Sequence, residues 1–145
     1  MTVINTHAHL VSPDLLDILA GRGNDFGIDL VEQTPDLYAC RFESGMQIRP
    51  FFDTLMNIDY RLGEMDRQGI ELEILSMWTD IFGYDLPADK GKLWHTAMND
   101  SMARLCDTHS DRFTWMASGA LQDPSSAARE LERAMKAGAV GAIIA

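Results

Sequence analysis

The sequence predicts an α/β fold built on a parallel sheet with helices outside it. Three observations carry that prediction. Short apolar runs alternate with segments of helical period, in the order strand, helix, strand, helix, strand, helix, strand. Parallel strands need such crossover connections. The helical segments are punctuated by capping residues at their starts and glycines at their ends. The composition, 46% hydrophobic and 23% charged over 145 residues, is that of one globular domain.

The first strand opens with Val3 and Ile4 and runs into polar residues before Leu10. Ser12-Pro13 predicts a helix start, with Ser12 as the cap, Leu15, Leu16, Ile18 and Leu19 on its apolar face and Gly21 as its stop. Residues 21–50 show no clean period and predict a long irregular excursion. Asp59 predicts the cap of a helix carrying Leu62 and Met65, closed by Gly69 in the left-handed position. Residues 70–77 follow as a mostly apolar strand. A Pro87-led helix then places Trp94, Ala97, Met98, Met102 and Leu105 at steps of three and four. Phe113 to Ala120 predicts the next strand. Asp123-Pro124 opens a helix that ends near Gly138, and Val140, Ile143 and Ile144 form a last strand-like run. A (β/α)8 barrel needs roughly 250 residues. Residues 1–145 are therefore expected to form the N-terminal half of such a TIM barrel, one partial domain holding its first four strands.

Charge and cysteine content exclude several classes. With 22 acidic and 12 basic side chains the formal charge is −10. Nucleic-acid and anionic-membrane surfaces need clustered Lys and Arg, so neither is an expected partner. No run approaches about 18 uncharged apolar residues, so no membrane span is expected. Cys40 and Cys106 are too few for a disulfide scaffold or a structural zinc cluster, and read as two reduced thiols. The N-terminus has no basic, apolar leader, and a cytoplasmic location is expected by default.

His7 and His9 hold half of the chain's four histidines. Side chains alternate across a strand, so the two imidazoles project to one side and can converge on a single ion. They also fall at the C-terminal end of the first strand, where barrel enzymes place their chemistry. Two half-exposed histidines without a ligand are the competing reading. By the same alternation Asn5 is expected to share their face. Trp78, Phe82 and Tyr84 follow the second strand and either wall a pocket for a planar substrate or pack the loop. Asp80 and Asp85 receive no role. His95 and His109 fall in or just after a helix and read as surface residues.

The segment Ile4-Asn5-Thr6-His7-Ala8-His9-Leu10 resembles the first-strand signature of the amidohydrolase superfamily. The chain is similar to the branch containing aminocarboxymuconate-semialdehyde decarboxylase and the resorcylate-type decarboxylases. Tyr60 to Ile70, Asn99-Asp100 with His109-Ser110-Asp111-Arg112-Phe113, and Leu121-Gln122-Asp123-Pro124 with Ala128-Arg129-Glu130-Leu131 and Gly138 carry the likeness, which covers most of the chain except residues 11–50.

The resemblance implies a metal-dependent hydrolase or non-oxidative decarboxylase acting on a small carboxylated or cyclic substrate. His7 and His9 match its first-strand ligands to a divalent ion, with zinc expected. The remaining ligands and the acid–base histidine are expected beyond Ala145, so these residues alone are expected to be inactive. The family usually carries Asp where this chain has Asn5, which brings no charge. Arg49 lies near the branch's carboxylate-binding arginine, and a guanidinium fork suits that task; Arg41 is a weaker rival. Arg49 and Trp78 are thus the expected substrate contacts, and a homodimer is left open. A non-catalytic half-barrel or small α/β binding module is the alternative.

Overall fold

The structure, a computed structural model, describes residues 2–145. Four parallel strands form the main sheet: β1 (Ile4–Leu10), β4 (Leu72–Met77), β5 (Phe113–Ala117) and β6 (Gly141–Ala142), in the spatial order β1-β4-β5-β6. Between them run α1 (Asp14–Phe26), the hairpin strands β2 (Ile28–Thr34) and β3 (Leu37–Phe42), α2 (Asp53–Met56), α3 (Ile58–Gln68), α4 (Ala88–Thr108) and α5 (Pro124–Lys136). The parallel α/β architecture is the one expected.

The helices bury one face of the sheet. Register aligns Ala8 with Leu75 and Leu10 with Met77, and Leu75 with Trp115, and all of these are buried. The opposite parity is left open: Ile4 is 46% exposed, and Ile74, Thr114 and Met116 are only half-buried. A strand packed on both faces would read as apolar throughout. Here Thr114 and Ser76 interrupt the open face.

Residues 21–50 depart from the expected irregular excursion. Helix α1 runs through Gly21 and ends at Gly27, whose φ of 71° is the left-handed conformation of a C-terminal cap. Gly21 does not stop it because Leu15, Leu19 and Phe26 continue its buried face beyond that point. Gly23 lies inside the helix because the chain needs a close approach: a Cβ there would stand 2.2 Å from the Ile28 carbonyl oxygen. The chain then forms an antiparallel hairpin that pairs Leu30 with Cys40 and Ile28 with Phe42. Its turn carries Asp36 at φ 64°, a conformation Asp tolerates.

Caps differ by a residue or two from those expected. Helix α1 begins at Asp14, and the Ser12 hydroxyl donates to the Asp14 carboxylate instead of capping a backbone N–H. Asn57, not Asp59, caps α3 by accepting from the Tyr60 N–H. Gly69 closes α3 at φ 69°, and Asp123 caps α5 by accepting from the Ser126 N–H, both as read from the sequence. The last strand is only two residues long, and Val140 and Ile144 are 54% and 69% exposed. Both cysteines are free and buried, and burial pushes each thiol up to about 12.

Candidate metal and carboxylate site

Strand β1 carries an irregularity that sets the geometry of the site. Asn5 pairs with Glu73 and Ala8 with Leu75, so three steps on β1 span two on β4. One extra residue in a strand reverses the facing of everything beyond it. Asn5 therefore lies on the helix-covered face with Ala8 and Leu10, while His7 and His9 occupy the open one. This corrects the expectation that Asn5 shares their side. A period-2 count assumes a regular strand.

The two imidazoles come together. Their centroids lie 4.7 Å apart with the ring planes at 81°. His7 is exposed and His9 half-buried. His9 Nδ1 is 3.0 Å from the Ser76 hydroxyl, its register partner on β4, which leaves the Nε2 side of the ring for a ligand. Burial and then the neighbouring His7 lower the His9 pKa, while a Met77 backbone hydrogen bond and the Asp80 carboxylate oppose them. A lowered pKa keeps the imidazole neutral, as a metal ligand must be.

These donors fit a divalent ion: two imidazoles close together on an open face, one oriented by a hydroxyl behind it. They supply two donors. Among the described residues no group of three or more His, Cys, Asp or Glu side chains could hold an ion.

Arg49 and Trp78 meet. The Arg49 guanidinium carbon sits 4.8 Å from the Trp78 ring centroid and 6.0 Å from that of Phe52. Its Nε donates to Asp80 Oδ2 at 3.1 Å, with the two side chains 62% and 37% exposed. Trp78 follows β4 directly and is itself buried, flanked by Phe51 and Phe52 at 6.0 Å. The indole is thus a floor beneath the arginine more than an open pocket wall. Asp80, given no role from sequence, accepts from Arg49, and its charge opposes the lowering of the His9 pKa. Arg41 stands exposed on β3, opposite Asp29 in the hairpin.

The other candidates separate from this cluster. His95 is fully buried, against the expectation of a surface residue. It faces the sheet from α4, its Nδ1 2.8 Å from the Ser118 hydroxyl and its ring stacked on Tyr84 at 5.7 Å and 12°. Burial pushes its pKa down to about 4. Phe82 packs on both rings, at 5.6 Å from Tyr84 and 5.5 Å from His95. These aromatics fill the loop after β4. His109 is half-buried against Phe113, and Asp85 is exposed.

Behind β1 lies a polar cluster the sequence reading missed. Asn5 Nδ2 donates to Glu73 Oε1 at 2.9 Å, and Arg61 Nη1 donates to Glu73 Oε2 at 2.9 Å. Arg61 Nη2 donates to the His9 carbonyl at 2.6 Å. The Arg61 and Glu73 side chains are only 14% and 6% exposed. A glutamate inside a mostly apolar strand was the available signal, because a buried carboxyl needs a partner.

No family model and no curated protein matches the sequence. Solved structures do. A 2,6-dihydroxybenzoate decarboxylase complexed with 2,6-dihydroxybenzoate is 30% identical, with a TM-score of 0.65 over 99% of this chain and 39% of that one. A dihydroxybenzoic acid decarboxylase from a Polaromonas species, with bound manganese and an inhibitor, is 29% identical with a TM-score of 0.64, covering 99% of this chain and 38% of that one. An amidohydrolase structure from Staphylococcus aureus shares the fold at 20% identity and a TM-score of 0.66, covering 99% of this chain and 37% of that one. The chain thus spans less than two-fifths of the length of each. With its parallel α/β order and these likenesses, the chain is similar to part of the amidohydrolase-superfamily structures, the dihydroxybenzoate decarboxylases among them.

Proposed function

We propose that these residues supply part of the site of a metal-dependent enzyme that removes or hydrolyses a group on a small carboxylated or cyclic substrate, with non-oxidative decarboxylation preferred. The observation that carries this reading is the meeting of His7 and His9 on the open face, with Arg49 held over the Trp78 ring by Asp80. The decarboxylase likenesses, one of them with manganese in its structure, support the preference and support a divalent ion. Imidazole donors suit zinc, whereas manganese favours carboxylate and water oxygens. A divalent ion supplies Lewis acidity and a lowered pKa for bound water.

The chain's own groups do the following. His7 and His9 offer ring nitrogens, and Ser76 fixes the His9 ring. The Arg49 side chain is 62% exposed, Asp80 accepts from its Nε, and the Trp78 ring lies beneath the guanidinium. That disposition suits bidentate capture of a substrate carboxylate. The Trp78 and Phe52 rings offer apolar surface beside it. The alternative of a non-catalytic half-barrel or small binding module is not favoured, because the similar structures are decarboxylases and an amidohydrolase.

The test follows carbon dioxide release from 2,6-dihydroxybenzoate, with manganese or zinc added, by the longest protein the gene encodes. Metal-dependent release that disappears in the His7→Ala, His9→Ala double variant supports the reading. Ester or amide hydrolysis with no release shifts it to the hydrolase form.

A further inference from the structure

We propose that Asn5, Glu73 and Arg61 form a positioning buttress that holds His7 and His9 on one face of β1 in ligand geometry. The inference rests on the metal reading above, but its geometric half can be measured without metal.

Four contacts build the buttress. The Asn5 side-chain oxygen accepts from the His7 N–H at 3.2 Å, across the irregular part of the strand. The Asn5 amide donates to one Glu73 oxygen, and Arg61 from α3 donates to the other. Arg61 also donates to the His9 carbonyl. Residues 5, 7 and 9 of β1 are thereby tied to β4 and α3 from the covered side. A strand irregularity re-aims side chains only where something fixes it, and these contacts fix it on both sides of the residue it re-aims.

Asn5 suits this place because its amide donates through nitrogen and accepts through oxygen. Glu73 needs the donor and the His7 N–H needs the acceptor. Aspartate accepts from His7 equally well but has no proton for Glu73, and two carboxylates would then face each other around a single arginine. The departure from the family's usual Asp is therefore matched by a glutamate on the neighbouring strand. The pair is predicted to tolerate inversion, as Asp at 5 with Gln at 73, better than either charge change alone.

The experiment uses Asn5→Ala, Asn5→Asp, Glu73→Gln and the Asn5→Asp, Glu73→Gln double variant, beside His7→Ala, His9→Ala. Three quantities are read: the nuclear Overhauser effect between the His7 and His9 rings without metal, the affinity for zinc alone, and Tm. Asn5→Ala and Asn5→Asp are expected to lose the ring-to-ring effect and about tenfold in zinc affinity. The inverted double variant is expected to recover most of both. Asn5→Ala adds no charge and keeps the test open where Asn5→Asp does not fold. Lowered Tm with the ring contact and zinc affinity at wild-type values would overturn the positioning role, as would an inverted pair no better than Asn5→Asp alone. Zinc binding identical in wild type and in His7→Ala, His9→Ala would remove the metal reading; the ring contact would still decide the buttress.

Discussion

Histidine serves two opposite purposes in this chain. At the end of β1, His7 and His9 stand on the open face with their rings together, and hydrogen bonds from the covered side hold the backbone that carries them. On α4, His95 is shut between Tyr84, Phe82 and Ser118, with no exposure at all. The first pair is disposed to bind; the second group is disposed to stay neutral and pack. The same side chain is offered at an open face or packed in the core according to which face of its element it occupies, and that face is set by register and helix phase.

The sharpest break between the two regions lies in pH. The folded-state pKa of His95 is depressed to about 4, whereas the unfolded chain holds a histidine near 6.5. Below about pH 6.5 the unfolded state binds the extra proton, so His95's contribution is present above that pH and is lost as pH falls through about 4. The difference corresponds to about 3 kcal/mol. Urea unfolding between pH 7 and pH 4 is expected to lose about that much more stability in wild type than in His95→Phe, which keeps the ring stack but cannot titrate. Equal losses would show that His95 is not held neutral. At pH 7 the same variant is expected to cost about 1 kcal/mol, for the Ser118 hydroxyl left without its partner.

Removing the exposed pair should act in the opposite way. His7→Ala, His9→Ala is expected to abolish zinc binding measured by calorimetry while leaving Tm nearly unchanged, and His109→Ala should change neither. A large Tm loss would mean that the rim histidines also pack. A smaller effect is expected at the carboxylate corner. Arg49→Ala should weaken binding of a benzoate-type anion about tenfold, the usual weight of a charge-assisted hydrogen bond, and Asp80→Asn should weaken it less. Quenching of Trp78 fluorescence provides the measurement, with Trp78→Phe as its control. The smallest effect belongs to the exposed Arg67–Glu64 pair on α3, 68% and 32% exposed. Arg67→Ala should leave both Tm and zinc affinity unchanged.

The order of elements was legible because each has its own local mark: the apolar run of β4, Gly69 after α3, Asp123-Pro124 before α5. The hairpin was not. Gly21 looks like a helix stop, yet the phase of Leu15, Leu19 and Phe26 carries α1 past it, and the Pro35-Asp36 turn signal lay within a stretch read as irregular. Within the site, His7 and His9 share a face as strand alternation implies, whereas the contact between Arg49 and Trp78 had no mark in the sequence. The facing of Asn5 departs from that alternation, because the extra residue in β1 is fixed by Glu73 and Arg61, far away in sequence. His95 was misjudged for a related reason: a polar residue on a helix reads as solvent-facing until its partner, Ser118 on another element, is known.

The central claim is that His7 and His9 grip one divalent ion. Zinc-edge X-ray absorption on the zinc-loaded protein tests it most directly. Two imidazole nitrogens at about 2.0–2.1 Å are predicted, and both should vanish from the His7→Ala, His9→Ala spectrum. The same nitrogen shell in the double variant, or a wild-type spectrum of oxygen neighbours alone, would contradict the account.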